Sequence, residues 1–327
     1  TRYKVSDILR IKLATLNCDH WDPTSSDHAP VSPPSNPRSS TANNPTSPEA
    51  PNPLTSVFLN HSPNLSVAHL NAQSIPAHYD DISRIFSPLN IQVILISESW
   101  LKPSLNSSLF QLDGYTLIRN DRLCKRGGGV AAYVRSDLNA TIVHSSPSEY
   151  SAKPEILSFE IKLGFQKCFI CVIYQPPGIN DIAAIEQIVL NANSHYEHVI
   201  IMGDLNTNIL STDSHNTKQL LTMFDSYNMT VLPLDPTHHT QYSETLIDLI
   251  VTNNIDRILT HGQCAAPGIS HHDIIYVTYS LKCPRPTPKK ITYRDLKRID
   301  DTILIRDALD IPWETIWTLH SVDEKVT

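Results

Sequence analysis

The feature that most constrains the fold of this chain is a set of short apolar runs, each of which stops at an acid or an amide. "NLSVAHLN" stops at Asn71, "IQVILISE" at Glu98, "HVIIMGDLN" at Asp204 with Asn206 behind it, and "TLIDLIV" carries Asp248 beside another run. In the first, Leu65, Val67 and His69 alternate with Ser66, Ala68 and Leu70. Unbroken runs of this length are strands buried on both faces. The chain therefore needs sheets covered on both sides, with polar strand ends gathered at a rim, where rigid scaffolds display their chemistry. Taken singly, each of these residues is a cap or a turn former. Taken together, Asn71, Glu98, Asp204, Asn206 and Asp248 point to one site of oxygen ligands, the kind that suits Mg²⁺.

Between the runs, a helix is predicted over about 79–89. "GGGVAAYVR" turns through Gly127, Gly128 and Gly129 into a strand, and "EILSFEIKL" pairs with "CFICVIYQPP" as a hairpin. "DIAAIEQIVLNANSH" reads as a helix, another covers about 214–227, and "DIIYVTYSL" is the last strand. Helices alternate with strands, but hairpins are mixed in, which favours packed sheets with helices outside over a simple doubly wound fold. From about 21 to 63 the chain is Ser, Pro, Thr and Asn, and its prolines deny it both helix and ladder hydrogen bonds, so disorder is expected there. After Lys282, "PRPTPKK" reads as a linker. The tail "RDLKRIDDTILIRDALDIPWETIW" reads as short helix with no evident place in a core. The predicted organisation is a disordered segment at 1–63, a folded domain at 64–283, and a linker with partial helix at 284–327.

Composition excludes some classes. Of 327 residues, 40% are hydrophobic, enough for a globular core. A net charge of −7 argues against holding nucleic acid by bulk charge, though not against a local basic rim. Cys168 and Cys171 form a CxxC, but on a strand odd spacing places them on opposite faces. With Cys18, Cys124, Cys264 and Cys283 they read as free thiols of a reducing compartment. No stretch is apolar for long enough to span a bilayer, and "TRYKVSDILR" lacks the apolar region of a signal peptide. The start at Thr1 reads as that of a fragment. The Asn106 and Asn139 triplets carry little weight as glycosylation sites without a secretion signal.

In order along the chain come "LNAQS", "SESW", "RNDRLCKRGGGVAAYV", "YQPP", "GDLNTN", "PTHHT", "TLIDLIVTN" and "ISHHDI". This series resembles the endonuclease/exonuclease/phosphatase superfamily, and within it the apurinic/apyrimidinic-type endonuclease domain of non-LTR (LINE-like) retrotransposons. The tail resembles the segment that joins such endonucleases to a reverse transcriptase. The resemblance implies a four-layer α/β (α+β) sandwich of DNase I-like type, with two packed mixed sheets flanked by helices. It implies hydrolytic nicking of DNA with Mg²⁺, or Mn²⁺ in its place, leaving a 3′-hydroxyl that primes reverse transcription. By motif match, Glu98 is the principal metal ligand and Asn71 assists it. Asp204 positions or deprotonates water, and Asn206 orients phosphate and water. Tyr174 contacts the scissile phosphate, Asp248 orients His272, and Thr237 contacts DNA. Arg119, Arg122 and Arg126 are candidate phosphate contacts, with a solvated loop as the bland alternative. The cluster Lys289, Lys290, Arg294, Lys297 and Arg298 reads first as linker and second as a DNA arm. The partners implied are DNA and an element RNA with its reverse transcriptase. A monomer is expected, nuclear when acting on DNA and otherwise cytoplasmic, with no membrane contact.

The pattern breaks at "ISHHDI". The family's closing Ser-Asp-His falls on Ser270, His271 and His272, so the resemblance makes Ser270 a candidate substrate contact and His271 stands where it implies an aspartate. Histidine supplies no negative charge. Asp273 follows, but neighbours in an extended segment point apart, so it does not compensate. A metal site of His271, His272 and Asp273 is disfavoured, because adjacent residues rarely chelate one ion. Weakened nicking is therefore expected. The alternatives are a remnant that only binds nucleic acid or is inactive, and a phosphatase of the same superfamily.

Overall fold

The computed structural model describes residues 53–149, 152–285 and 301–310. Cys18, the residues before 53 and the basic cluster at 289–298 lie outside the described residues. In chain order the elements are α1 (Pro53–Asn60), β1 (Asn64–Asn71), α2 (Ile75–Phe86), β2 (Val93–Ser97), β3 (Tyr115–Asn120), β4 (Val130–Arg135), β5 (Asn139–Ser145), β6 (Glu155–Leu163), β7 (Gln166–Tyr174), α3 (Ile182–His195), β8 (His198–Asp204), α4 (His215–Ser226), β9 (Thr230–Val231), β10 (His238–His239), β11 (Glu244–Thr245), β12 (Asp248–Thr252), β13 (Ile258–Cys264), β14 (Ile274–Lys282) and α5 (Asp301–Asp310).

Among the described residues the strands form two six-stranded mixed sheets and one small hairpin, β10–β11. The first sheet runs β13-β14-β1-β2-β4-β3 and the second β5-β6-β7-β8-β12-β9. Each sheet holds one parallel pair at its centre, β1 with β2 and β7 with β8. Helices α2 and α3 make the two crossovers, as parallel pairing requires. The other pairings within these sheets are antiparallel.

Alternation along the strands divides the side chains among three apolar layers. Val67, Val93, Leu95, Ala132, Ile275 and Val277 of the first sheet meet Leu157, Phe159, Ile170, Val172, Met202 and Ile250 of the second. Ala68, Leu70, Ile94 and Ile96 face outward against Ile75, Ile82 and Phe86 of α2. Phe169, Cys171, Val199 and Ile201 face outward against Ile185, Val189, Leu220 and Phe224 of α3 and α4. Helices, two sheets and helices thus stack as a four-layer α+β sandwich. Cys168 lies in the central layer and Cys171 in the outer one, opposite faces of one strand, as their spacing requires.

Local chemistry places the helix starts. Pro76 occupies the first turn of α2, where its missing N–H costs nothing, and Ser74 accepts from Ala77 N. The helix accordingly begins before the predicted 79 and ends at Phe86. Asp181 caps α3 by accepting from Ala184 N. The disorder expected up to residue 63 is corrected at its end. Residues 53–60 form α1, whose Leu54 and Phe58 are buried in the outer layer, Phe58 edge-on to Tyr276. The helical reading of the tail covers α5, where Ile303, Ile305 and Leu309 are exposed.

Candidate active site

Topology alone brings the polar strand ends together. Parallel pairing places the C-terminal ends of β1 and β2 side by side, and likewise those of β7 and β8. Antiparallel β14 and β12 present their N-terminal ends at the same edge, Asp248 lying opposite Asp204 in register. Asn71, Glu98, Tyr174, Asp204, Asp248 and His272 therefore share one end of the sandwich, although up to 201 residues separate the two members of a contact there.

Asn71 is fully buried and joins the two sheets. Its Nδ2 donates to Glu98 Oε1 at 3.1 Å and to Asp204 Oδ2 at 2.9 Å, and lies 3.4 Å from His272 Nε2. Glu98 sits just past β2 with φ 51°, so the strand breaks and its carboxylate swings into the site. Its Oε2 accepts from Trp100 Nε1 at 3.1 Å. Asp204 Oδ1 accepts from Asn206 N at 2.9 Å, and Asn206 Nδ2 is anchored on Gln175 O at 2.7 Å. Asp248 Oδ2 accepts from His272 Nδ1 at 2.8 Å and from Thr237 Oγ1 at 2.8 Å.

The electrostatics follow from this crowding. Burial, with the charge of Asp248 beside it, lifts the Asp204 carboxyl well above the usual range, against the pull of His272, Asn206 and Asn71. Burial works against a charged His272, but the charge and hydrogen bond of Asp248, with Asp204 and Glu98 beyond, raise it to about 9. Burial also raises Tyr174, helped by Glu98 and Asp204, so its hydroxyl stays protonated and able to donate. His69, buried on β1 behind Asp248, is lowered to about 4, chiefly by burial.

The donors fit a hard divalent cation. Glu98, Asp204 and Asp248 bring three carboxylates to one largely buried place. Asp204, Asp248 and His272 each offer a ligand atom, all within 4.8 Å of one another. Because Asp248 and His272 are already paired, the carboxylates whose remaining lone pairs could face a cation are those of Glu98 and Asp204.

Several sequence expectations change. Thr237 is fully buried and clamps Asp248 through its hydroxyl, so it does not reach DNA. Arg119 is turned inward. It pairs with Asp121 and donates to the carbonyls of Lys102 and Leu105 and to Ser107, leaving no fork for a phosphate. Arg122 is buried against Glu155, with its guanidinium 5.6 Å from the centre of the Tyr174 ring. It supports the tyrosine rather than projecting outward. Arg126 is exposed, 5.3 Å over the Trp100 ring. Of the three glycines, Gly128 and Gly129 serve close packing. A Cβ on Gly129 would lie 2.6 Å from Ser99 Oγ, and the Gly128 and Gly129 carbonyls accept from Trp100 N and Ser99 N. Ser270 Oγ accepts from His272 N at 3.1 Å and so shapes the turn. His271 is exposed, and Asp273 is occupied by Gln263 Nε2 at 2.9 Å, outside the acidic group.

Sequence reasoning missed four participants: His69, Trp100, Gln175 and His238, whose ring lies 4.4 Å from that of His272. The signal for His238 and Trp100 was their presence in "PTHHT" and "SESW" beside assigned residues. Nothing marked His69 beyond a polar residue on an apolar strand face.

Comparisons with known proteins agree with this fold. No curated protein gives a match. The endonuclease domain of TRAS1, a telomere-specific non-LTR retrotransposon, is 16% identical, with a TM-score of 0.54, covering 66% of this chain and 99% of that one. An AP endonuclease from Leishmania major is 13% identical, with a TM-score of 0.54 over 67% and 88% of the two chains. A 3′ phosphatase from Neisseria, solved with a product DNA hairpin, is 12% identical, with a TM-score of 0.54 over 66% and 99%. These likenesses show the shared fold. The model of the Endonuclease/Exonuclease/phosphatase family matches residues 64–275, most of the chain and all of the site residues named above, and the chain belongs to that family.

Proposed function

We propose that the chain is a metal-dependent DNA endonuclease of the non-LTR retrotransposon kind, nicking one strand to leave a 3′-hydroxyl for reverse transcription. The observation that carries this reading is the gathering of Asn71, Glu98, Tyr174, Asp204, Asn206 and the Asp248–His272 pair at one end of the sandwich. Glu98 and Asn71 would hold Mg²⁺, or Mn²⁺ in its place, which when bound would supply Lewis-acid stabilisation of the phosphate oxygens. Asp204 in its carboxylate form, made more basic by burial, takes the proton from the attacking water, while Asn206 orients that water. The water oxygen bonds to phosphorus, the bond to the 3′-oxygen breaks, and the 3′-oxygen leaves with the bonding pair and takes a proton from solvent to become the hydroxyl. Asp248 leaves Nε2 of His272 turned toward the site as a cationic donor for charge on the phosphate. Tyr174 donates its hydroxyl to the same charge. DNA is the partner, and an element RNA and reverse transcriptase are the wider partners of such an enzyme.

The test is relaxation of supercoiled plasmid with Mg²⁺, followed by primer extension from the nick and run beside a phosphomonoester substrate. The expected product is an extendable open circle. Glu98→Ala should abolish it, and cleavage persisting in that variant would overturn the metal assignment. Activity on the phosphomonoester alone would favour a phosphatase. The exposed His271 supplies no negative charge beside His272, so His271→Asp should raise the nicking rate roughly tenfold. An unchanged rate in a folded but slow parent would sink the idea that His271 weakens the site.

A further inference from the structure

One pair of atoms behind the site has no other use. Asp248 Oδ2 is fully engaged by His272 and Thr237, but Oδ1 has no hydrogen-bond partner. It faces Nδ1 of His69 at 3.8 Å, and that nitrogen also has no hydrogen-bond partner. Both side chains are fully buried, His69 reaching from β1 in one sheet toward β12 in the other. The far side of the ring is settled, Nε2 lying 2.9 Å from Ser97 Oγ on β2.

The tautomer follows from these contacts. An ionised carboxylate only accepts, so a lone pair on Nδ1 would face a second acceptor in a buried, low-dielectric place. Placing the ring proton on Nδ1 turns that repulsion into attraction. Nε2 must then accept, and the Ser97 hydroxyl is there to donate. At 3.8 Å the His69–Asp248 contact is an electrostatic tie rather than a hydrogen bond. It still opposes rotation of the carboxylate, whose other oxygen fixes His272.

We propose that His69 is a positioning residue of this site: held by Ser97 as the Nδ1–H tautomer, it restrains Asp248 Oδ1 so that Oδ2 stays on Nδ1 of His272. This rests on the nuclease reading for its kinetic consequence but not for its spectroscopic one. Sequence position adds that Ser97 immediately precedes Glu98, so one short strand end serves both the histidine relay and the acidic group.

The full 327-residue chain serves for the test. His69→Leu removes the donor, while His69→Asn places an amide Nδ2 where Nδ1 stood. In plasmid nicking, His69→Leu should lower kcat roughly ten- to a hundredfold with KM changed by no more than about threefold, and His69→Asn should recover most of the loss. By NMR, the Nδ1–H proton of His272 should be sharp and far downfield in the parent and in His69→Asn, and broadened or shifted in His69→Leu. A core-filling role alone predicts equal losses in both variants, or an unmoved His272 signal, and either result overturns the proposal. If His69→Leu does not fold, Ser97→Ala decides. Freeing Nε2 should broaden the His272 signal and lower kcat severalfold, and no change in either overturns the proposal. If the parent cuts no DNA, the nuclease reading fails on its own, and the His272 signal still tests the positioning.

Discussion

At the scale of single residues, the site depends on a polar group that sequence assigned outward and the fold turned inward. Thr237 accepts from the backbone N–H of Asp248 at 3.1 Å while donating to that residue's carboxylate at 2.8 Å, so one hydroxyl fixes both ends of the aspartate. Thr237→Val keeps the shape and deletes the hydroxyl, leaving a buried N–H and a carboxylate oxygen short of partners. The expected cost is about 1–3 kcal/mol of stability, read by denaturant unfolding, with a fall in nicking kcat larger than any change in KM. Thr237→Ser should be close to the parent in both, and equal damage in the two variants would show that methyl packing matters more than the hydroxyl. Asn71, Glu98, Asp204, Asn206 and Asp248 were legible as a group because acids and amides recur where apolar runs stop, whereas Tyr174 and His272 stood out only through the resemblance of their motifs. Arg119 and Arg122 misled because an arginine beside glycines looks the same in sequence whether its fork meets a phosphate or a carboxylate, Asp121 for the one and Glu155 for the other.

Among the elements, the buried strands were readable and the wet ones were not. β2 and β8 are continuous apolar runs, and both are buried throughout. β5 is an edge strand exposed along nearly its whole length, and β13 is a polar edge strand, so neither carries a period of its own. Pairing with a neighbour makes them strands, and pairing is not written in a local pattern. α1 was hidden by the prolines around it, and only its contacts on the first sheet reveal its apolar side chains. The element most exposed to a single change is the β7–β8 pair. Gly203 lies in β8 opposite Ile173, and a Cβ there would fall 1.9 Å from the Ile173 carbonyl oxygen. Backbone cannot give way as a flexible side chain can. Gly203→Ala should force apart the strands that carry Tyr174 and Asp204, costing roughly 3 kcal/mol or more and lowering the thermal midpoint. An unchanged midpoint would mean that the two strands can separate at that point without loss.

For the whole molecule, two sheets of opposite origin must be held face to face from both ends. At the site end the ties are polar, Asn71 to Asp204 and His272 to Asp248, and they join the first sheet to the second. At the other end stands His198, the first residue of β8. It is buried, its Nδ1 is 3.2 Å from the Tyr279 hydroxyl of β14, and its ring is edge-on to that of Tyr279. Around it are Gln166, at 3.4 Å from Nε2, and the exposed carboxylate of Glu197 at 3.8 Å. Burial lowers the His198 pKa, Glu197 opposing and Arg257 assisting. The sign of the consequence is fixed by linkage. Unfolded chains take up the proton near pH 6.5 while the folded chain resists, so stability from a neutral His198 is complete above about pH 6.5 and is lost as pH falls below it. His198→Gln, which cannot be protonated, should therefore show a shallower loss of unfolding free energy than the parent between about pH 6.5 and 5, and the two should run parallel above pH 7. Other groups titrate in both proteins and cancel in the difference. Parallel curves across the whole range would mean that His198 charges as readily inside the fold as outside it, and that the tie to Tyr279 does not need a neutral ring.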